Sequence, residues 1–100
     1  MGEYTVKLTA QALNELDGIY GELVSSARGT DAAGALIDRL EKHILTLESV
    51  PYRYPERKRG SYAKNGYRNL LADNFTVIYR VEEIKKRVIV IAVQRAEAKT

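Results

Sequence analysis

Lysine, arginine and tyrosine carry the only chemistry that this chain gathers at close spacing. Between positions 51 and 70 lie Arg53, Arg57, Lys58, Arg59, Lys64 and Arg68, against the single acid Glu56. Tyr52, Tyr54 and Tyr62 interleave with them. Cationic side chains hold phosphates and aromatic rings stack on bases, so the mixture fits an anionic partner, either nucleic acid or an acidic protein segment. The same residue types also suit a solvated loop. On that view Tyr52 and Tyr54 pin the segment to the core, and this is the expectation for those two. Arg57, Lys58, Arg59 and Lys64 are the candidates for contact with a partner. Arg80, farther along, shares a strand face with Thr76 and Ile78, where it can bind phosphate or pair with an acid across the sheet.

Other chemistry finds no footing. The chain has no Cys, so it has no disulfide, no thiolate ligand and no thiol nucleophile. The only histidine, His43, falls between Leu40 and Ile44 near a helical stripe and is expected to be structural. No carboxylate and imidazole cluster has metal-ligand spacing. Ser25, Ser26, Ser49 and Ser61 stand in no nucleophile context. Neither metal nor cofactor is expected.

The elements that position these residues can be read from the apolar pattern. Residues 66–94 contain three apolar runs broken at Asp73-Asn74 and at Glu82 to Arg87. Val, Ile, Tyr and Phe dominate, which predicts a three-stranded antiparallel meander. In the middle run Phe75, Val77, Tyr79 and Val81 alternate with Thr76, Ile78 and Arg80, so the first set should cover a core. Val88 to Val93 is apolar on both faces, as suits a strand inside a sheet. Upstream, Tyr4, Val6 and Leu8 alternate with Thr5 and Lys7 in a half-buried strand. Thr9 is placed to cap a helix from Ala10 to about Ala27, with a stripe of Leu13, Leu16, Tyr20 and Leu23 widened by Ala12, Ile19 and Val24. Gly18 and Gly21 inside it imply either close approach of another backbone or a weak helix centre, each costing roughly 1 kcal/mol against Ala. Gly29 should end that helix, and Thr30 or Asp31 should cap the next. The second helix runs from Ala32 to about Ser49 with Leu36, Ile37, Leu40, Ile44 and Leu47 on one stripe, stopped by Pro51. An antiparallel helical hairpin on one face of a four-stranded, mostly antiparallel sheet follows, an α+β fold of order β-α-α-β-β-β. Residues 51–66 form a long irregular loop, a length usually tied to function or disorder.

One hundred residues make a single domain, residues 1–100. Net charge is +3 but uneven, because the helical region is acidic and the loop after it basic. No apolar run approaches the ~20 residues of a membrane span and no signal peptide is visible, so a cytoplasmic protein without membrane contact is expected.

Three stretches together resemble the RelE/ParE superfamily of bacterial toxins. They are Tyr4-Thr-Val-Lys-Leu-Thr9, Leu47-Glu-Ser-Val-Pro-Tyr-Arg-Tyr-Pro55, and Gly66-Tyr-Arg-Asn-Leu70 followed by Asp73-Asn-Phe-Thr-Val-Ile-Tyr-Arg-Val81. The resemblance spans residues 3 to 95. It implies the toxin of a type II toxin–antitoxin module, neutralised by a cognate antitoxin, with the first strand beside the last. Two mechanisms occur in the superfamily. RelE-like members cleave mRNA on the ribosome, using cations on the open sheet face together with a proton acceptor and donor. ParE-like members inhibit DNA gyrase. Here Arg68 falls where a sheet-face Lys of the ribonucleases lies, but Leu70 and Thr76 replace a second Lys and a phosphate-binding Arg. After Val93 the chain reads Gln94-Arg-Ala-Glu-Ala-Lys-Thr100, with no Tyr or His beyond Tyr79. The resemblance therefore leans to gyrase inhibition. The alternatives are an mRNA endoribonuclease, with Arg68 catalytic, or a degenerate toxin without activity; Arg57, Lys58, Arg59, Lys64, Arg68, Arg80 and Arg95 are the candidates for binding the target or nucleic acid. Without antitoxin, exposed apolar surface would permit a homodimer.

Overall fold

The computed structural model describes residues 2–26, 29–60, 62–63 and 65–96. Strand β1 (Thr5–Leu8) leads into helix α1 (Ala10–Ser25), helix α2 (Gly29–Leu45), a 3₁₀ turn (Thr46–Glu48), and strands β2 (Arg68–Ala72), β3 (Phe75–Glu82) and β4 (Arg87–Arg95). The sheet order is β1-β4-β3-β2. β1 runs parallel to β4, and the other two pairings are antiparallel. The α+β architecture and the first-beside-last strand order agree with the sequence reading. β4 is an inner strand, as its two apolar faces require.

Both helices cover one face of the sheet. Leu36, Leu40, Ile44 and Leu47 meet Leu70, Ala72, Phe75, Val77, Tyr79, Val88, Val90 and Val93 in one core. Leu40 and Leu47 are fully buried, each removing apolar surface worth roughly 1.5–3 kcal/mol from water. The face that α1 offers differs from the one expected. Ala12 and Leu16 are buried and Ile19 and Leu23 pack against the core, while Leu13 and Tyr20 are 52% and 40% exposed. The helix is rotated so that the smaller Ala12 meets the sheet, which lets α1 lie close to it. Around Gly18 and Gly21 no atom beyond the helix's own neighbouring residues lies within 4 Å of where a Cβ would sit, so close approach of another segment of the chain does not explain them. α2 starts at Gly29, earlier than the expected Ala32, and tightens to 3₁₀ after Leu45, where the Thr46 hydroxyl donates to the His43 carbonyl at 2.6 Å.

A β-bulge ties α1 to β4. The pairing of β3 with β4 slips between Ile78 and Tyr79, leaving Ile91 as the extra residue. β1 ends at Leu8, opposite Val90. Beyond it the backbone groups on that side of β4 need other partners. Thr9 supplies two, its N–H donating to Val90 O and its hydroxyl to Ile91 O, both at 3.0 Å. Glu15 supplies a third by accepting the Val93 N–H at 2.7 Å. The Thr9 hydroxyl oxygen also accepts the Ala12 N–H at 3.1 Å, the N-cap that the sequence implies.

Candidate functional site

Strand register assigns the candidate cations that lie on strands to a face. Arg68 pairs with Tyr79 and Leu70 with Val77, so both project from the helix-covered side. The opposite side carries Asn69 and Leu71 from β2, Thr76, Ile78, Arg80 and Glu82 from β3, and Ile89, Ala92 and Gln94 from β4. β1 adds Thr5 opposite Arg87 and Lys7 opposite Ile89.

Arg68 is held by the loop that the sequence marked as basic. Its Nη1 donates to Tyr54 O at 2.6 Å, its Nη2 lies 3.7 Å from Glu56 Oε2, and its guanidinium sits 5.1 Å above the Tyr52 ring. Only 19% of its side chain is exposed. The chain folds this way because residues 55–57 run beside β2. Asn69 N–H donates to Pro55 O at 3.0 Å, Arg57 N–H donates to Tyr67 O at 2.7 Å, and Glu56 bridges to Arg68. Under this strap the buried Tyr79 donates its hydroxyl to Pro51 O at 2.6 Å, and burial pushes its pKa up to about 12.

On the uncovered side Arg57 Nη1 donates to Asn69 Oδ1 at 2.8 Å. Arg80 and Arg87 share one carboxylate, with Arg80 Nη2 2.9 Å from Glu82 Oε2 and Arg87 Nε 2.6 Å from Oε1. The hydrogen bond from Arg87 is the main cause that holds the Glu82 pKa below its usual range. Arg80 Nε is buried without a hydrogen-bond partner. Thr76, Ile78 and Ala92 are nevertheless buried on this face, so the strand centres are not open to solvent. Tyr62 and Tyr67 meet edge-on at 5.3 Å, and the Tyr62 hydroxyl accepts Gln11 Nε2 at 3.4 Å, so the loop reaches from the β2 edge to the first turn of α1.

The candidate cations therefore do not form one cluster. Arg57 and Arg80 share the uncovered face, and Lys58 and Arg59 are exposed on the loop that follows Arg57. Arg68 is on the other side. Arg95 stands at the far end of the sheet, over the Phe75 ring at 5.6 Å and paired with Glu22. Lys64 lies outside the described residues. Lys7 and Arg87 join the uncovered face without having been singled out, although the alternation of Thr5 and Lys7 in β1 already implied the former. His43 is exposed on α2. No group of His, Cys, Asp and Glu among the described residues could hold a metal.

A second feature opens at the Arg95 end. A cavity of about 540 Å³ lies between the helices and the β2–β3 turn, with Ile19, Leu23, Leu36 and Phe75 in its wall. Ion pairs edge it, Arg39 with Asp73 at 3.2 Å and Arg95 with Glu22.

Residues 6–99 match the family described as ParE toxin of type II toxin–antitoxin system, parDE. No curated protein matches. Among solved structures, the chromosomal ParDE system of P. aeruginosa is similar at TM-score 0.78 and 22% identity, over 95% of this chain and 98% of that one. The RelBE2 toxin–antitoxin complex of Mycobacterium tuberculosis is similar at TM-score 0.65 and 18% identity, over 93% and 98%. The isolated E. coli RelE toxin is similar at TM-score 0.56 and 19% identity, over 96% and 87%. Helical hairpin, strand order and a family match along nearly the whole length converge: the chain belongs to the ParE toxin family of type II toxin–antitoxin systems.

Proposed function

We propose that this toxin arrests growth by binding DNA gyrase through protein–protein contacts and cleaves no RNA, and that a cognate antitoxin neutralises it. One observation carries the mechanism. The sheet face that would have to perform RNA cleavage holds a carboxylate already saturated by Arg80 and Arg87, with its pKa lowered. A general base must be able to take a proton near neutral pH, and such a carboxylate is a poor one. Tyr79 is equally unsuited as a donor there, being buried on the opposite side. The family match to ParE supports the same reading, and solved toxin–antitoxin assemblies of this fold support the antitoxin. The cavity between helices and sheet, lined by both apolar and charged side chains, suits an amphipathic segment of that partner.

A ribosome-dependent endoribonuclease is the second reading, favoured by Lys7, Arg57, Arg80 and Arg87 on one face. Supercoiling by purified gyrase and mapped transcript ends after induction separate the two. The gyrase reading expects lost supercoiling, a DNA-damage response and intact transcripts. Cleavage within codons on ribosome-bound mRNA, with supercoiling unaffected, overturns it.

A further inference from the structure

The β3–β4 connection combines rigidity with exposure. Glu83 to Lys86 form a tight turn closed by Lys86 N–H donating to Glu83 O at 3.1 Å. Ile84 at its tip is 98% exposed. Turn tips ordinarily carry Gly, Asn, Asp, Ser or Pro, for backbone or hydrogen-bonding reasons that isoleucine does not meet. The left-handed backbone of this turn falls on Lys86, at φ 51°, so the turn's geometry gives no reason for an isoleucine at position 84.

Two other segments hold the turn in place. Glu83 Oε1 accepts the hydroxyls of Tyr4 and Tyr52, each at 2.7 Å, and Glu83 Oε2 pairs with Lys86. The two tyrosine rings meet edge-on at 6.4 Å. Thr5 N–H donates to Lys86 O at 3.0 Å. A loop ordered before association loses less freedom on binding, so an apolar side chain held out by such a frame is preorganised for insertion. The surrounding charges are mixed with a positive balance, since Glu83 offsets Lys86 and Glu3 also acts on Lys86. Lys85 is exposed, and Arg80 and Arg87 have one carboxylate between them.

We propose that the β3–β4 turn is a preformed docking knob, with Ile84 entering an apolar pocket rimmed by carboxylates on the protein that this toxin arrests. The inference rests on the gyrase reading above. The test titrates wild-type, Ile84→Val, Ile84→Ser and Ile84→Asp proteins into gyrase and reads supercoiling, with melting temperature and sedimentation followed in parallel. The side chain touches little of its own protein, so folding should be unchanged in all three variants. Ile84→Asp and Ile84→Ser are expected to raise the half-inhibiting concentration ~10-fold or more, as loss of a buried interface anchor does, and Ile84→Val to leave it nearly unchanged. Equal inhibition by wild type and Ile84→Asp overturns the knob and leaves the gyrase reading standing. Supercoiling untouched by wild type overturns both. A wild-type dimer that Ile84→Asp converts to monomer assigns the turn to self-association and overturns docking to the target.

Discussion

Tyr79 and Glu83 show how single groups hold the strap and the hairpin. The Tyr79 hydroxyl is the buried partner of Pro51 O, and Phe at that position would leave the carbonyl unpaired. Tyr79→Phe should lower unfolding free energy by about 1–3 kcal/mol, read from urea denaturation. Glu83 is held at about 2, first by its hydrogen bond from Lys86 and then by those from Tyr4 and Tyr52. A carboxyl depressed in the folded state contributes stability above its unfolded pKa and loses it as pH falls toward the folded value. The native protein should therefore lose stability between about pH 4.5 and about 2. Glu83→Gln should flatten that part of the pH–stability curve. Tyr4 and Tyr52 donate to the same carboxylate, and that bond raises the pKa of each. Their alkaline titration should move down in Glu83→Gln, followed by tyrosinate absorbance.

At the scale of elements, α1 combines a glycine-containing centre with firm backbone ties to the sheet. Two glycines lie in its middle, yet Thr9 and Glu15 fasten it to the backbone of β4. No neighbouring atom would obstruct a Cβ at either glycine. Gly18→Ala and Gly21→Ala should each stabilise the chain by up to about 1 kcal/mol, seen as a higher melting temperature. An unchanged melting temperature would mean that the helix centre is not limited by glycine entropy. Removing the cap acts the other way. Thr9→Ala deprives the Ala12 N–H and the Ile91 carbonyl of their partner at once and should cost about 1–2 kcal/mol by denaturant titration.

Across the whole molecule, charge is separated along the chain. The helical region is acidic, while the strap, the uncovered face and the β3–β4 turn are basic. Such a distribution steers association with an acidic surface more than it sets final affinity. On the proposed gyrase reading, raising ionic strength to roughly 0.5 M, where charges are screened within a few ångströms, should slow capture of gyrase by the toxin much more than it speeds release. Stopped-flow or surface-binding rates measure that split. A dissociation rate that carries most of the salt effect would place the decisive charges inside the interface instead of around it.

The fold was legible in the sequence because its elements are set by local periodicity. Strict alternation at Phe75 to Val81, a doubly apolar Val88 to Val93 and two helical stripes admit few arrangements other than a hairpin on a four-stranded sheet. Residue types alone also located the basic segment and excluded thiol chemistry. The faces of individual cations were not legible. Moving one residue along a strand moves its side chain to the other side, so Arg68 could be placed only by its pairing with Tyr79. The rotation of α1 that exposes Leu13 and Tyr20 goes with the bonds that Thr9 and Glu15 make to the β4 backbone at Val90, Ile91 and Val93, between residues far apart in sequence. The clamp on Glu83 joins Tyr4, Tyr52 and Lys86 from three segments, and only the folded chain brings them together. The alternation of a strand is written into neighbouring residues, whereas register, helix rotation and the choice of hydrogen-bond partner are decided where distant segments meet.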